Sequence, residues 1–139
     1  LQNRGRAPNL LRGGRAHKAA TYTLTNLDPT SRVSRIRLLT QNDGSAIGEV
    51  LLPSESASAQ GFVDPAPTGN LQSVSASCLS LRNAPHALGF GGFIDIATNT
   101  ATLDFFESSE VTWPNKYTAT TVSQERFSVS VSRTNYPKP

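Results

Sequence analysis

Beyond residue 19 the chain alternates apolar and polar residues in short runs, the period-two signature of half-buried strands. Tyr22 and Leu24 alternate with Thr21, Thr23 and Thr25, which predicts a first strand, and Asp28-Pro29-Thr30 predicts a turn. Residues 32–40 and 46–52 flank Asn42-Asp43-Gly44-Ser45, whose first three residues tolerate the positive φ of a hairpin turn. Ala46, Gly48, Val50 and Leu52 share one face of the second of those strands. Residues 53–70 hold three prolines among Ser, Ala and Gly and read as one long loop or two short ones. A strand over 71–83 changes parity, with Val74, Ala76 and Cys78 on one face and Leu79 and Leu81 on the other, so a bulge near Cys78 or two buried environments is expected. Residues 90–97 and 101–106 predict a second hairpin across Thr98-Asn99-Thr100, with Ile94 and Ile96 facing Leu103 and Phe105. Residues 116–122 predict a further strand, and Phe127, Val129 and Val131 alternate with serines in the last. No helix of three turns and no internal repeat is predicted.

About seven short strands with turns every eight to fifteen residues predict an all-β fold, an antiparallel β-sandwich resembling a jelly roll. The same alternation suits an immunoglobulin-like sandwich or a small barrel. At 139 residues the expectation is a single domain over 20–139, preceded by an arm over 1–19. The arm packs Arg, Gly, Asn, Pro and Ala around the Leu10-Leu11 pair, too little apolar content to offset ordering entropy, and is expected to be disordered alone.

Charge sharpens this division. Residues 1–37 carry eight of the thirteen Lys and Arg and one acid, Asp28, whereas the remainder carries five bases against nine acids. A basic head on a mildly acidic body points to phosphate. The candidate nucleic-acid contacts are Arg4, Arg6, Arg12, Arg15 and Lys18, with Arg32, Arg35 and Arg37 extending the patch onto the first strands. The alternatives are a solvated tail and a solvent face with scattered Arg. No aromatic residue lies in the arm, which favours contact with the phosphate backbone over base stacking.

Other chemistry finds little support. His17 lies in the arm and His86 in the Asn83-Ala84-Pro85-His86 turn, and there is no Gly-x-Ser-x-Gly elbow, so the chain is not expected to be an enzyme. Asp43-Gly44-Ser45 is better explained by its hairpin than by an aspartic-protease loop. Asp95 and Asp104 are placed facing one another across the 90–106 hairpin, as an acid–base or cation site or as a plain solvent face. One Cys and two His offer no zinc spacing, and neither a metal nor a cofactor is expected. Gly89-Phe90-Gly91-Gly92 precedes no predicted helix and is read as a close backbone approach rather than a dinucleotide fingerprint. Trp113 with Pro114, Tyr117 and Tyr136 is a candidate platform for a sugar or protein partner, or else packing at the edge of the core. Cys78 reads as a buried small residue, and being alone it excludes an internal disulfide.

No apolar run approaches the ~20 residues of a membrane span, and nothing resembles a secretory signal or an Asn-x-Ser/Thr acceptor. A reducing interior, or a particle assembled there, is the expected home. The sequence lacks methionine, so Leu1 is read as an internal start produced by cleavage of a precursor or by truncation.

Taken together, the expected processed or truncated start, the Arg/Gly/Pro arm and the small Ser/Thr-rich body resemble the jelly-roll coat proteins of small icosahedral positive-strand RNA viruses. The closest local likeness is Val74-Ser75-Ala76-Ser77-Cys78-Leu79-Ser80-Leu81-Arg82-Asn83, followed by Ala87-Leu88-Gly89 and Gly91-Gly92-Phe93-Ile94. It is similar to the part of such folds where one strand runs into a loop and the next begins with small residues. The resemblance implies many copies self-assembling into an icosahedral shell, with the arm neutralising genomic RNA, and a place in the virion after assembly in the host cytoplasm. The competing readings are a stand-alone glycan- or receptor-binding module, such as a viral protruding domain, and a basic nucleic-acid-binding barrel.

Overall fold

The computed structural model describes residues 17–53, 55–78, 87–108 and 120–136. Eight strands follow one another: β1 (His17–Asn26), β2 (Arg35–Thr40), β3 (Ser45–Leu51), β4 (Ser56–Val63), β5 (Leu71–Cys78), β6 (Ala87–Asp95), β7 (Thr100–Ser108) and β8 (Thr120–Tyr136). Each pairs antiparallel with the next, and β8 returns to β1, closing a barrel. Among the described residues no helix forms. The all-β antiparallel expectation holds at this level. The two-sheet sandwich does not appear: a jelly roll needs Greek-key crossovers, whereas here every neighbour is the next strand in the chain except where β8 closes onto β1. Residues 1–16, and with them the expected disorder of the arm, lie outside the described residues, and β1 opens at His17.

Turn chemistry sets the first hairpin as expected, while the second turns earlier, between Asp95 and Thr100. Gly44 adopts φ 96° and donates to the Gln41 carbonyl at 3.0 Å, while the Asp43 carboxylate accepts from the Ser45 amide at 3.0 Å. Asn99 adopts φ 56° between β6 and β7. Two strand expectations are corrected. The proline-marked stretch 53–70 contains β4, whose inward residues are Ala57, Ala59, Gly61 and Val63, too small to register as an apolar face. Residues 120–122 of the strand expected at 116–122 run on without a break into the strand expected from Phe127, as the single β8, while 116–119 lie outside the described residues. The strand expected over 71–83 ends, as described, at Cys78, and Leu79 and Leu81 lie outside the described residues.

Closure follows from stagger. Tracing paired residues once around, from Ser132 through Thr21, Leu39, Ile47, Gln60, Ser77, Gly89 and Phe106, returns to β8 at Thr121. A closed eight-stranded sheet requires such a shear and leaves an interior just wide enough to be filled by side chains. One residue of the shear is a bulge, since Phe105 pairs with Ser123 but Phe106 with Thr121.

The interior is asymmetric. β3, β4 and β5 present mainly small residues, Ala46, Ala57, Ala59, Ala76 and Cys78, while Phe90, Phe105 and Phe127 project from β6, β7 and β8. The Phe105 ring lies 5.5 Å from that of Phe90 and 6.0 Å from that of Phe127, at tilted angles that suit aromatic quadrupoles. Large rings from one half of the wall thus occupy the space left by the other. Gly48, Gly61 and Gly92 also face inward, where a Cβ would run into the backbone of Arg37, Ser75 and Thr102 respectively. These glycines let neighbouring strands approach closely enough to bend the wall. Buried Gln72 donates to the Tyr22 hydroxyl at 3.0 Å and to the Asp64 carbonyl at 2.7 Å, tying the β4–β5 loop to the interior.

Candidate functional site

The cations of the basic head do not form one patch on this fold. Arg4, Arg6, Arg12 and Arg15 lie outside the described residues. Lys18 is the second residue of β1, paired with Asn135, and so stands diagonal to the exposed Arg133, which pairs with Ala20. Arg35 and Arg37 lie at the other end of the same wall, opposite Thr25 and Thr23. At the usual strand rise, Thr25 is roughly 26 Å along β1 from His17. The Arg37 guanidinium is 3.6 Å from Glu49, with both side chains close to half exposed, so this pair is screened and contributes little to stability. Arg32 lies in the exposed β1–β2 loop. The fold therefore places Arg133, not the Arg32–Arg37 group, beside the point where the arm enters. Sequence reasoning missed Arg133 because only the closure of β8 onto β1 brings it there.

Among the described residues a polar cluster is built around Glu125. Asn26 donates to its carboxylate at 2.6 Å, Ser123 at 2.7 Å, and the Ser31 hydroxyl donates as well. Asn26 also donates to the Val33 carbonyl at 2.8 Å, so the cluster pins the β1–β2 loop across one end of the barrel. Burial pushes the Glu125 carboxyl up, but the hydrogen bonds from Ser31, Ser123 and Asn26 outweigh it and hold the group below the ordinary Glu range, with Asp28 opposing. A carboxylate saturated with donors anchors a loop and is a poor general base. Because its folded pKa is depressed, its stabilising contribution is complete above the ordinary Glu value and is lost as pH falls through the folded value. Glu125→Ala is expected to cost about 1–2 kcal/mol at pH 7 and to flatten the acid side of the stability profile. Urea melts at pH 7 and pH 3 check this; an unchanged midpoint at both would show that the cluster holds nothing.

The remaining candidates resolve as follows. Asp95 and Asp104 do not face one another: Asp95 pairs with Thr100, and Asp104 with Gly91. The Asp95 carboxylate caps its turn, accepting from the Ala97 amide at 3.0 Å, while Asp104 accepts from Gln124 at 2.9 Å. The hairpin register differs from the one expected because β7 begins at Thr100, so the proposed acid pair is not formed. Within Gly89-Phe90-Gly91-Gly92 the close backbone approach is found at Gly92. Cys78 is buried, and burial pushes its thiol up to about 11 despite the pull of Arg32, so it is not a nucleophile at neutral pH. Trp113 and Tyr117 lie outside the described residues, and Tyr136 closes β8 opposite His17. Among the described residues no three His, Cys, Asp or Glu side chains group to hold a metal.

The outer wall carries a feature that the alternation pattern concealed. Leu39 and Ile47, directly paired across β2 and β3, are both exposed, as are Phe62 on β4 and Phe93 on β6. Leu39 and Ile47 line an open depression of about 470 Å³ with Gln41, Ser45, Gln60 and Ser77. The sequence signal is adjacent apolar residues of opposite parity, Leu38-Leu39, Ala46-Ile47 and Phe93-Ile94, where one of each pair must face out. Most other outward positions on β1 and β5 are Thr or Ser, with exposed Leu71 at the start of β5. Among the described residues no helix is long and apolar enough to cross a membrane.

No protein-family model, no curated protein and no solved structure matches the chain.

Proposed function

We propose that the chain is a structural subunit that assembles with copies of itself around RNA, a coat-type protein of a virion put together in the host cytoplasm. The observation that carries this reading is the partition of charge: a strongly cationic head feeds into β1 beside Arg133, while the rest of the chain is net acidic. The head is suited to neutralising phosphate without reading sequence, and the exposed apolar side chains of β2, β3, β4 and β6 suit contacts between copies. This reading does not need the jelly-roll shell domain of the family that the sequence resembles, because the contacts it calls for lie on the wall and the long β8.

The test is a titration with single-stranded RNA of unrelated sequences at several salt concentrations. Five phosphate contacts, from Arg4, Arg6, Arg12, Arg15 and Lys18, give a slope of log K against log salt of about −3.5 whatever the sequence. Salt-independent binding, or none, removes RNA from the account. The depression beside Leu39 and Ile47, with its amide and hydroxyl groups, favours a second reading as a stand-alone binding module. That reading predicts a monomer that loses glycan binding on Ile47→Asp.

A further inference from the structure

Closure of a barrel removes the free edges of its sheet, but β8 is much longer than its neighbours, and part of one of its edges has no strand partner among the described residues. Thr120–Ser128 pairs with β7, while Phe127–Tyr136 pairs with β1. The Arg126 carbonyl accepts from Leu27, so even-numbered residues of β8 point their backbone groups toward β1. Odd-numbered residues point the other way, and the Val129 amide accordingly donates to the Asn99 carbonyl at 2.8 Å. Past Val129 the pairing with β7 has ended. Val131 and Arg133 direct N–H and C=O groups outward, and among the described residues no strand meets them. Ser130, Val131, Ser132 and Arg133 are all exposed.

We propose that the β8 edge from Ser130 to Thr134 pairs antiparallel with the same edge of a second copy, about a two-fold axis through Ser132. An antiparallel edge is its own complement under such an axis, so one surface serves both partners. Charge selects the register. Centring on Arg133 sets two guanidinium groups directly opposite, which destabilises the pair. Centring on Val131 sets Arg133 against Val129, whose amide is already committed to Asn99. Centring on Ser132 places Val131 of each copy opposite Arg133 of the other, in two hydrogen-bonded pairs with no like charges opposed. Val131, 38 % exposed, then packs on the aliphatic stem of Arg133. The two Ser132 residues form a non-hydrogen-bonded pair, with Cα atoms about 4.5 Å apart.

That spacing lies within the range a disulfide spans, about 4.4–6.8 Å. In the full chain, Ser132→Cys under mild oxidation is expected to give a covalent dimer at least about tenfold faster than Ser130→Cys, whose copies would lie about 14 Å apart. Buried Cys78 serves as the internal control. In the same register Val131→Lys faces Arg133 and is expected to weaken dimerisation about tenfold, whereas Val131→Glu strengthens it. Position 131 is exposed enough for both variants to fold, and circular dichroism is the check. Equal cross-linking at 130 and 132, or equal effects of Lys and Glu, overturns the proposal. The contact is one element of the self-assembly proposed above, and the two fail separately. Large particles without a cross-link at 132 overturn the contact and leave the assembly, while a cross-linked dimer without particles supports the contact and removes the shell.

Discussion

Gly61→Ala is expected to destabilise the barrel by about 2–3 kcal/mol, whereas Gly89→Ala leaves stability within about 0.5 kcal/mol of the parent. Both are strand glycines in the same wall, and they differ in the face they present. A Cβ on Gly61 would meet the Ser75 carbonyl and, at 2.5 Å, the Ala76 Cβ, so the added methyl must push β5 away from β4. A Cβ on Gly89 would find its nearest neighbour, the Ala76 carbonyl, at 3.6 Å, an ordinary contact. Alanine also restricts the unfolded chain, which offsets any small cost at position 89. Gly48 and Gly92 belong with Gly61, their Cβ positions being blocked by the backbone of Arg37 and Thr102. Urea denaturation of the single variants separates the two classes. Equal effects at 61 and 89 would mean that the inward glycines do not shape the wall.

The second large effect is on RNA. Replacing Arg4, Arg6, Arg12 and Arg15 by Ala leaves Lys18 as the last of the five head cations and is expected to reduce the salt slope from about −3.5 to about −0.7. Taking 1 M salt as the point where the electrostatic term vanishes, affinity at about 0.1 M falls several-hundred-fold. The unfolding midpoint should stay where it is, because all four residues precede β1. Arg133→Ala, beside the entry of the arm, is expected to change the slope by no more than one contact, about 0.7. An unaltered slope in the four-residue variant would show that the head is a solvated tail.

How far the fold could be read from the sequence depended on side-chain size. β1, β2, β3 and β7 announce themselves because inward Tyr22, Leu24, Ile36, Leu38, Val50, Leu103 and Phe105 alternate with polar residues. β4 does not, since its inward Ala57, Ala59 and Gly61 answer to bulky rings across the barrel, and volume matching over such separations leaves no local signal. Barrel closure is equally non-local. Nothing near Phe127 says that the last strand will pair with the first, so the alternation that predicted a sandwich fits a barrel as well. The same gap hid the site. The charge of the head was plain from composition, but the pairing of Ala20 with Arg133, the separation of Arg35 and Arg37 from the arm, and the failure of Asp95 to meet Asp104 are all register facts. Glu125 was overlooked because two of its three hydrogen-bond donors, Asn26 and Ser31, lie almost a hundred residues earlier in the chain.

The central claim, assembly of many copies around RNA, is tested most directly by sedimentation of the purified full chain recorded at 260 and 280 nm together. The account predicts a fast, homogeneous boundary whose absorbance at 260 nm exceeds that at 280 nm. A slow boundary of one or a few chains with a protein-like ratio would contradict it.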